Sequence, residues 1–291
     1  MGVALPVSRE PAHARRPPWT MEADAPTAGE AMVDWDGARY AEVSGLQRMV
    51  AEESISGLAL IGNERLLDVG CGDGFITMLL AERLPEGSVV GVDASHRMID
   101  RALARVPFDT LRVQFHVDDV LALPFDQDFD IAVSFNALHW VHDQGEALRQ
   151  IARSLVDGGR AVLQMVCATD RPSIEDVAMQ VATDPQWAGS FEAFDAPYEH
   201  VEPARFGELA TAAGFTVDDL TVKNLSWTFD SVEDFHAWFT VGSPDWTNRL
   251  PDSETDRFVA EVIERYQLTV GEPALFRFSQ LRASLTRRAG H

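Results

Sequence analysis

Residues 68–74 carry the most informative chemistry in the sequence, an aspartate followed by three glycines at alternate positions (Asp-Val-Gly-Cys-Gly-Asp-Gly). An apolar run precedes them and a helical pattern of apolar residues follows, which predicts a strand, a tight turn and a helix. Glycine suits such a turn because it tolerates positive φ and has no side chain to hold a ligand away from the backbone. The amides at the start of the helix would then face a nucleotide-sized ligand.

The spacing narrows the choice of nucleotide. A dinucleotide fingerprint needs a third glycine where this chain has Phe75, and a P-loop needs Gly-Lys-Ser/Thr, which is absent. A second acid, Asp93, ends the apolar run 88–93 about 20 residues after the glycines, where a doubly wound sheet presents a carboxylate to both ribose hydroxyls. Ser95 is a good helix N-cap, so Asp93 could instead only support that turn.

The placement of an aspartate two residues before G-x-G-x-G resembles motif I of the class I S-adenosylmethionine-dependent methyltransferases. The resemblance implies S-adenosyl-L-methionine as cofactor. It implies a Rossmann-like α/β fold, with a mostly parallel seven-stranded sheet, helices on both faces and a helical cap. The residues expected to contact the cofactor are Asp68, Gly70, Cys71, Gly72, Gly74, Asp93, Ala94, Met98, Asp118, Asp119, Val120, Asn136 and Tyr40.

One acid after the third strand has a more specific role by the same resemblance. Aligning the stretch 123–125 (Leu-Pro-Phe) on the similar stretch of the family assigns Asp119 to the adenine amino group, with the amide of Val120 pairing to the ring. Asp118 is the alternative for this role. Either aspartate could instead be a solvated turn residue.

Residues 136–143 follow the fourth predicted strand and bring polar and aromatic side chains to the carboxyl edge of the sheet, where ligands bind in such folds. With the N-terminal segment and the late helices, they make most of residues 34–285 similar to the trans-aconitate and juvenile hormone acid methyltransferases, which methylate carboxylates. By that resemblance, Gln47 and Trp140 would hold the acceptor carboxylate through the side-chain amide and the indole N–H.

His139 is the candidate catalytic residue of this segment. A carboxylate acceptor is already ionised at neutral pH and needs no general base, whereas a phenol or an alcohol would need one. Imidazole titrates near operating pH, so His139, ahead of His142, is the candidate base for such an acceptor. The alternative is that His139 only positions the acceptor through a hydrogen bond.

The sequence therefore predicts an S-adenosylmethionine-dependent methyltransferase that O-methylates the carboxylate of a small, largely apolar molecule. The alternatives are O-, N- or C-methylation of a secondary metabolite at a phenol, amine or carbon, and a cofactor-binding catalyst that transfers no methyl group. A nicotinamide dehydrogenase would also fit the fold, but Phe75 in place of the third glycine disfavours it.

Charge and composition limit the partners. The formal net charge is −22, from 46 acidic and 24 basic residues, and such a field repels phosphate backbones. We therefore expect a small-molecule acceptor and no nucleic acid.

No apolar run approaches the length that spans a bilayer, so we expect no membrane partner. The two cysteines, Cys71 and Cys167, indicate a reducing, cytoplasmic compartment with neither a disulfide nor a metal site. Monomer and homo-oligomer both remain open.

The order of the predicted elements suggests the domain boundaries. Residues 1–30, rich in proline, alanine and arginine, predict a flexible tail, and residues 31–291 a single methyltransferase domain. Helices that precede the first strand or separate two late strands cannot lie in the sheet, so they should form a cap. The expected cap segments are about 31–62, 171–200 and 231–270.

Local residue patterns make three further predictions. They indicate a turn at 157–159, a fifth strand at 161–166 and a last strand at 275–285.

Overall fold

Strands and helices alternate along residues 65–287 of the computed structural model, which describes residues 53, 55–106 and 112–290. The strands are β1 (Arg65–Val69), β2 (Ser88–Asp93), β3 (Val113–Val117), β4 (Phe129–Phe135), β5 (Leu155–Val166), β6 (Phe215–Thr228) and β7 (Leu275–Arg287). The helices are α1 (Phe75–Glu82), α2 (His96–Leu103), α3 (Gln144–Ser154), α4 (Ile174–Ala182), α5 (Pro203–Ala212), α6 (Val232–Gly242), α7 (Pro244–Thr247) and α8 (Asp252–Val270). Single 3₁₀ turns lie at Val120–Ala122 and Leu138–Trp140.

The strands form one sheet in the order β3-β2-β1-β4-β5-β7-β6. Neighbours among β1 to β5 are parallel, and β7 is antiparallel to both β5 and β6. The predicted mostly parallel seven-stranded sheet is confirmed. The chain leaves β1 toward β2 and β3 and later returns to place β4 on the other side of β1, so the strand order reverses between β1 and β4. Ligand crevices in open α/β sheets lie at this switch point, beyond the carboxyl ends of the strands.

Apolar side chains cover both faces of the sheet, as the nearly continuous apolar strands require. On one face α3 and α5 contribute residues such as Leu148 and Phe206 to a core cluster with β4, β5 and β7. On the other face α1 and α2 contribute residues such as Leu80 and Ile99 to a second cluster. The sheet is therefore held rigid from both sides, and the loops at its carboxyl edge start from fixed positions.

A third apolar cluster, which we call the cap cluster, joins α4, α6 and α8 to the start of β7. It draws on residues 174–198 and 235–278, which include most of the two later segments expected to form a cap. The Tyr266 hydroxyl fixes α8 to β7, since it donates to the Arg277 carbonyl oxygen (2.7 Å) and accepts from the Arg277 amide (3.0 Å). The fully buried rings of the cap cluster are Trp187, Phe235, Phe239, Trp246, Phe258 and Tyr266.

Two local predictions were wrong. The turn expected at 157–159 lies inside β5, which begins at Leu155 rather than at 161. Phe129 pairs with Leu155 and Ile131 with Arg160, so residues 156–159 bulge opposite a single residue of β4, and Gly158 adopts a φ of 76° within that bulge. The pairing on either side keeps the chain in the strand despite its turn-like residues. The short helix α7 was not predicted, because four residues are too few to show a periodicity.

No helix in the described part of the chain combines the length and the apolar character needed to cross a bilayer. Cys71 and Cys167 are both buried free thiols. Within residues 55–106 and 112–290 no cluster of three or more histidine, cysteine or acidic side chains could hold a metal ion.

Candidate functional site

The glycine turn after β1 contains two glycines that are required for different reasons. Gly70 has a φ of 71°, and a Cβ atom there would lie 2.2 Å from the Cβ of Ala137, so close packing excludes any side chain. Gly72 has a φ of 53°, and a Cβ atom there would meet no protein atom within 4 Å. Gly74 is the N-cap of α1, again with positive φ. Space beside Gly72 is therefore open on the side from which a ligand can approach the backbone.

Backbone hydrogen bonds fix this turn to the end of β2. The amides of Gly70 and Cys71 both donate to the Val92 carbonyl oxygen, at 2.8 and 3.0 Å. One carboxylate oxygen of Asp93 accepts from the Gly72 amide (2.9 Å), and the other accepts from the Ser95 amide (2.9 Å). Asp93 thus supports the start of α2, the alternative raised for it above. A carboxylate can accept about four hydrogen bonds, so amides and ribose hydroxyls can share one carboxylate.

Asp68 lies beneath the turn, 2% exposed, and accepts a hydrogen bond of 2.6 Å from the Thr77 hydroxyl. Burial raises the pKa of the Asp68 carboxyl to about 7, with a smaller rise from the Asp93 charge and an opposing effect from the Thr77 hydrogen bond. Near neutral pH this group is therefore partly protonated. A cation bound close to it would shift it to the ionised form.

Arg105, two residues after the end of α2, is a member of the site that the sequence did not indicate. Its Nε donates to the Asp73 carbonyl oxygen (2.7 Å), and its guanidinium forms an ion pair with the Asp73 carboxylate. Asp73 also accepts from the Phe75 amide (3.2 Å). These contacts join the turn to the residues after α2, across 32 residues of sequence that no local pattern connects.

The acids after β3 occupy different positions. Asp119 is exposed, and its carboxylate accepts from the Leu121 amide (2.9 Å) as the N-cap of the 3₁₀ turn that begins at the buried Val120. Asp118 is half-buried, its amide donates to the Asp93 carbonyl oxygen (3.1 Å), and burial raises the pKa of its carboxyl. Asp119 thus has the turn role considered for it, and its role toward adenine remains a prediction.

Two other residues assigned to the cofactor lie next to Asp93. Ala94 is the residue between Asp93 and Ser95 and is half-buried. Met98 is buried in α2, and its amide donates to the Ser95 hydroxyl (3.2 Å). Both residues follow Asp93 closely in the chain, and their contacts with the cofactor stay predictions.

The segment after β4 lies directly against the glycine turn, because Ala137 fills the place that a side chain at Gly70 would take. Asn136 adopts a φ of 57°, its amide donates to the Gln164 carbonyl oxygen (2.7 Å), and its side-chain oxygen accepts from Gln280 (3.2 Å). These contacts set the direction of the 3₁₀ turn Leu138–Trp140. The structure therefore brings the candidate cofactor turn and the candidate catalytic segment together.

His139 is 4% exposed, and its Nδ1 atom has no hydrogen-bond partner among the described residues. Burial, with a smaller contribution from His200, holds the pKa of the His139 imidazole well below its usual value. The ring is consequently neutral at neutral pH. Trp140, half-buried, contacts it with ring centroids 5.1 Å apart.

Cap residues that the sequence did not assign to the site complete its surroundings. The ring centroid of His200 lies 5.9 Å from that of His139, Tyr198 contacts His200 at 4.4 Å, and Trp246 of α7 contacts Trp140 at 6.5 Å. We call these five side chains (His139, Trp140, Tyr198, His200 and Trp246) the edge rings. The Glu199 amide bonds the His139 carbonyl oxygen (2.8 Å), and Gln144 Nε2 bonds the Glu199 carbonyl oxygen (2.7 Å), which fixes this part of the cap to the sheet edge.

Comparison with known proteins identifies the fold's family. A family model described as a methyltransferase domain matches residues 66–159, which run from β1 into β5. Trans-aconitate 2-methyltransferase from Methylobacterium nodulans is 33% identical over 190 residues, 64% of this chain and 71% of that protein. The chain belongs to the S-adenosylmethionine-dependent methyltransferases. Juvenile hormone acid O-methyltransferase from Bombyx mori is 30% identical to this methyltransferase over 180 residues, 58% of this chain and 63% of that protein.

A solved structure shares the fold. The YcgJ protein from Bacillus subtilis superimposes on the methyltransferase with a TM-score of 0.61 and 19% identity, covering 84% of this chain and 100% of that one. The cofactor is S-adenosylmethionine. The residues at the turn are compatible with this cofactor. Gly72 borders open space, and the buried carboxyl of Asp68 beneath the turn can balance the positive charge of a bound cation.

Replacing Gly72 by alanine should weaken cofactor binding more than it weakens the fold. The added methyl group enters the open space beside the turn, where the cofactor is expected to bind. Overpacking of this kind costs about 1–3 kcal/mol, which corresponds to a roughly ten- to hundredfold loss of cofactor affinity in calorimetry. Gly158→Ala is the matched control, because Gly158 also has positive φ and open surroundings but lies in the β5 bulge. Both variants should lose about 1 kcal/mol of unfolding free energy. Equal cofactor affinity in the two variants would contradict a ligand beside Gly72.

Cofactor affinity should rise with pH between about 6 and 8, because ionised Asp68 attracts the sulfonium and ammonium groups of S-adenosylmethionine better than the protonated acid does. Calorimetry in buffers of different ionisation enthalpy should record release of a fraction of one proton. Asp68→Asn should lower the affinity and remove the pH dependence. Asp130→Asn, which breaks the exposed ion pair with Arg65 at the amino end of the strands, should retain it. An unchanged proton count in Asp68→Asn would argue against this coupling.

Proposed function

We propose that this methyltransferase transfers the methyl group of S-adenosylmethionine to the carboxylate of a small, largely apolar acid. The observation that carries the proposal is the buried, neutral His139 beside Trp140 at the sheet edge. A general base must accept a proton in the transition state, and it acts best when its pKa lies near the operating pH. Burial disfavours the protonated form of His139, so this imidazole is a weak base. An acceptor that is already ionised needs none.

The residues around this position support an acid with an apolar body. The edge rings offer aromatic surface with one or two polar atoms on each ring, and such surface suits a mainly apolar molecule that carries one polar group. The net charge of −22 disfavours a polyanionic acceptor. Relatives named trans-aconitate 2-methyltransferase and juvenile hormone acid O-methyltransferase add support for an acid, and the aromatic surroundings favour an apolar one.

The proposal assigns each part of the site a task. Asp93 accepts from the ribose hydroxyls, Asp119 from the adenine amino group, and Asp68 lies near the cationic end of the cofactor. The cofactor supplies an activated methyl group, and the chain has to hold the acceptor in line with it and exclude water. Trp140 donates its indole N–H to the acceptor carboxylate, and Gln47, outside the described residues, donates its amide. The remaining proposed cofactor contacts are Gly70, Cys71, Gly72, Gly74, Ala94, Met98, Asp118, Val120, Asn136 and Tyr40, of which Tyr40 also lies outside the described residues.

An acceptor screen tests this function. Purified protein is incubated with labelled S-adenosylmethionine and with fatty, terpenoid and aromatic acids, phenols and amines, and products are identified by mass spectrometry. We expect methyl esters of apolar monocarboxylic acids and formation of S-adenosylhomocysteine, with trans-aconitate a poorer acceptor. Labelling of only phenols or amines would contradict the carboxylate assignment and favour methylation of a secondary metabolite at another atom.

Substitution of His139 separates its two possible roles. His139→Ala should reduce methyl-ester formation by less than about tenfold, whereas any activity on a phenol should fall by the factor of about 10²–10⁴ that a general base contributes. His142→Ala, three residues along and exposed, is the control and should change neither rate. Initial rates with each acceptor at saturating cofactor give the comparison. Undiminished activity of His139→Ala on a phenol would exclude the base role.

A further inference from the structure

Three of the edge rings carry a buried polar atom without a partner in the described residues. Trp246 Nε1, His139 Nδ1 and His200 Nε2 all lack a hydrogen-bond partner within the described part of the chain. Their rings belong to one connected group, since Tyr198 contacts both His200 (4.4 Å) and Trp246 (6.2 Å), and His139 contacts His200 (5.9 Å). Buried donors and acceptors are nearly always satisfied in folded proteins, so such a cluster calls for a partner from outside the chain.

Trp246 is the clearest case, because an indole has one polar atom and that atom can only donate. The side chain is fully buried in α7, in edge contact with Trp140 at 6.5 Å and with Phe194 at 5.8 Å. This contact places Trp246 beside Trp140, the residue proposed to bond the acceptor carboxylate. Burying an indole N–H without a partner disfavours the folded state, and a ligand oxygen would remove that penalty.

Trp187 shows what a structural tryptophan looks like in the same cap. It is equally buried, but its Nε1 donates to the Glu261 carboxylate at 2.9 Å. Its ring makes a T-shaped contact with Phe258, with centroids 5.3 Å apart. The two tryptophans thus differ in whether the described chain itself satisfies the indole N–H.

We propose that Trp246 is a specificity-determining residue that donates its indole N–H to the carboxylate of the acceptor, alongside Trp140. This inference rests on the proposed function and extends it to the cap, which lies outside the residues 66–159 that the methyltransferase-domain model matches. Two indole donors on one group favour an anionic oxygen acceptor over an amine, which presents no comparable pair of acceptor lone pairs. The apolar body of the acid then packs against rings such as Phe194 and Tyr198.

Indole NMR signals test this contact directly. The chain has seven tryptophans, so protein labelled with ¹⁵N at the indole nitrogen gives at most seven cross-peaks. Trp246→Phe and Trp187→Phe assign two of them by disappearance. With S-adenosylhomocysteine present, addition of cinnamic, citronellic or dodecanoic acid should move the Trp246 proton downfield and leave the Trp187 signal in place. A Trp246 signal that does not move when an acid binds overturns the inference, because its N–H would then face a ring of the cap.

The same two variants give opposite patterns in kinetics and stability. Trp246→Phe should lower kcat/KM for the best acid of the three by about ten- to hundredfold, the usual cost of a lost hydrogen bond to a charged group, with cofactor affinity unchanged. The melting temperature of Trp246→Phe should be retained or raised, because the substitution removes a buried indole N–H that has no partner among the described residues. Trp187→Phe should lower the melting temperature and preserve kcat/KM.

The outcomes distinguish this inference from the proposed function. Equal methylation of the acids by wild type and by Trp246→Phe overturns the role of Trp246 and leaves the proposed function in place. Loss of stability in Trp246→Phe without loss of kcat/KM assigns the indole a structural role and has the same consequence. Wild-type protein that binds and methylates none of the three acids, while it methylates phenols or amines, overturns the proposed function and the inference together.

Discussion

The site depends on the hydrogen bonds that join the glycine turn to the end of β2. Two turn amides share the Val92 carbonyl oxygen, and the Gly72 amide is held by the Asp93 carboxylate at 2.9 Å. Gly70 and Gly72 have positive φ, which glycine adopts without strain, and packing at Gly70 leaves no room for a side chain. Ala137 then packs where a side chain at Gly70 would be, so the segment that carries His139 and Trp140 takes its position from the same turn.

The parts of this arrangement that could be predicted from sequence are those encoded locally. The glycine spacing, the apolar runs of β1, β2 and β4, and the acid that ends β2 each lie within a few residues of one another, and each has a direct physical signature. Asp93 was found because a parallel sheet brings the carboxyl ends of adjacent strands to one edge, which makes spacing along the chain informative about position in space. The sheet could therefore be predicted from local patterns, and the cofactor from the family resemblance that these residues carry.

The parts that could not be predicted depend on contacts between distant segments. Arg105 reaches Asp73 across 32 residues, and Gln144 reaches Glu199 across 55, and neither pair leaves a periodic signal. Trp246 lies in a four-residue helix whose position is set by tertiary packing. The residue types around Gly158 are typical of a turn. The pairing of β4 with β5 on either side nevertheless keeps these residues in the strand as a bulge, and that pairing has no local signal in the sequence.

Three buried groups at this edge of the sheet oppose folding and point to binding. The raised pKa of Asp68 means that the folded protein retains a proton that the unfolded chain has lost, so its contribution to stability falls as pH rises from about 4 toward 7. The depressed pKa of His139 acts in the other direction, since the unfolded imidazole gains a proton as pH falls below about 6.5 and the folded one does not. The indole N–H of Trp246 does not titrate, so the cost of burying it without a partner among the described residues is the same at every pH.

A chain selected for stability alone would replace such groups by apolar ones, whereas functional sites often retain locally unfavourable groups. The three groups have different chemistry, a carboxyl suited to a cation, a neutral imidazole and an indole donor. Asp68 lies at the glycine turn, and His139 and Trp246 are among the edge rings, the two places proposed for a cationic methyl donor and for an anionic acceptor. Opposite charges on the two reactants cancel as the methyl group is transferred, so an interior with little net charge of its own is suited to this reaction.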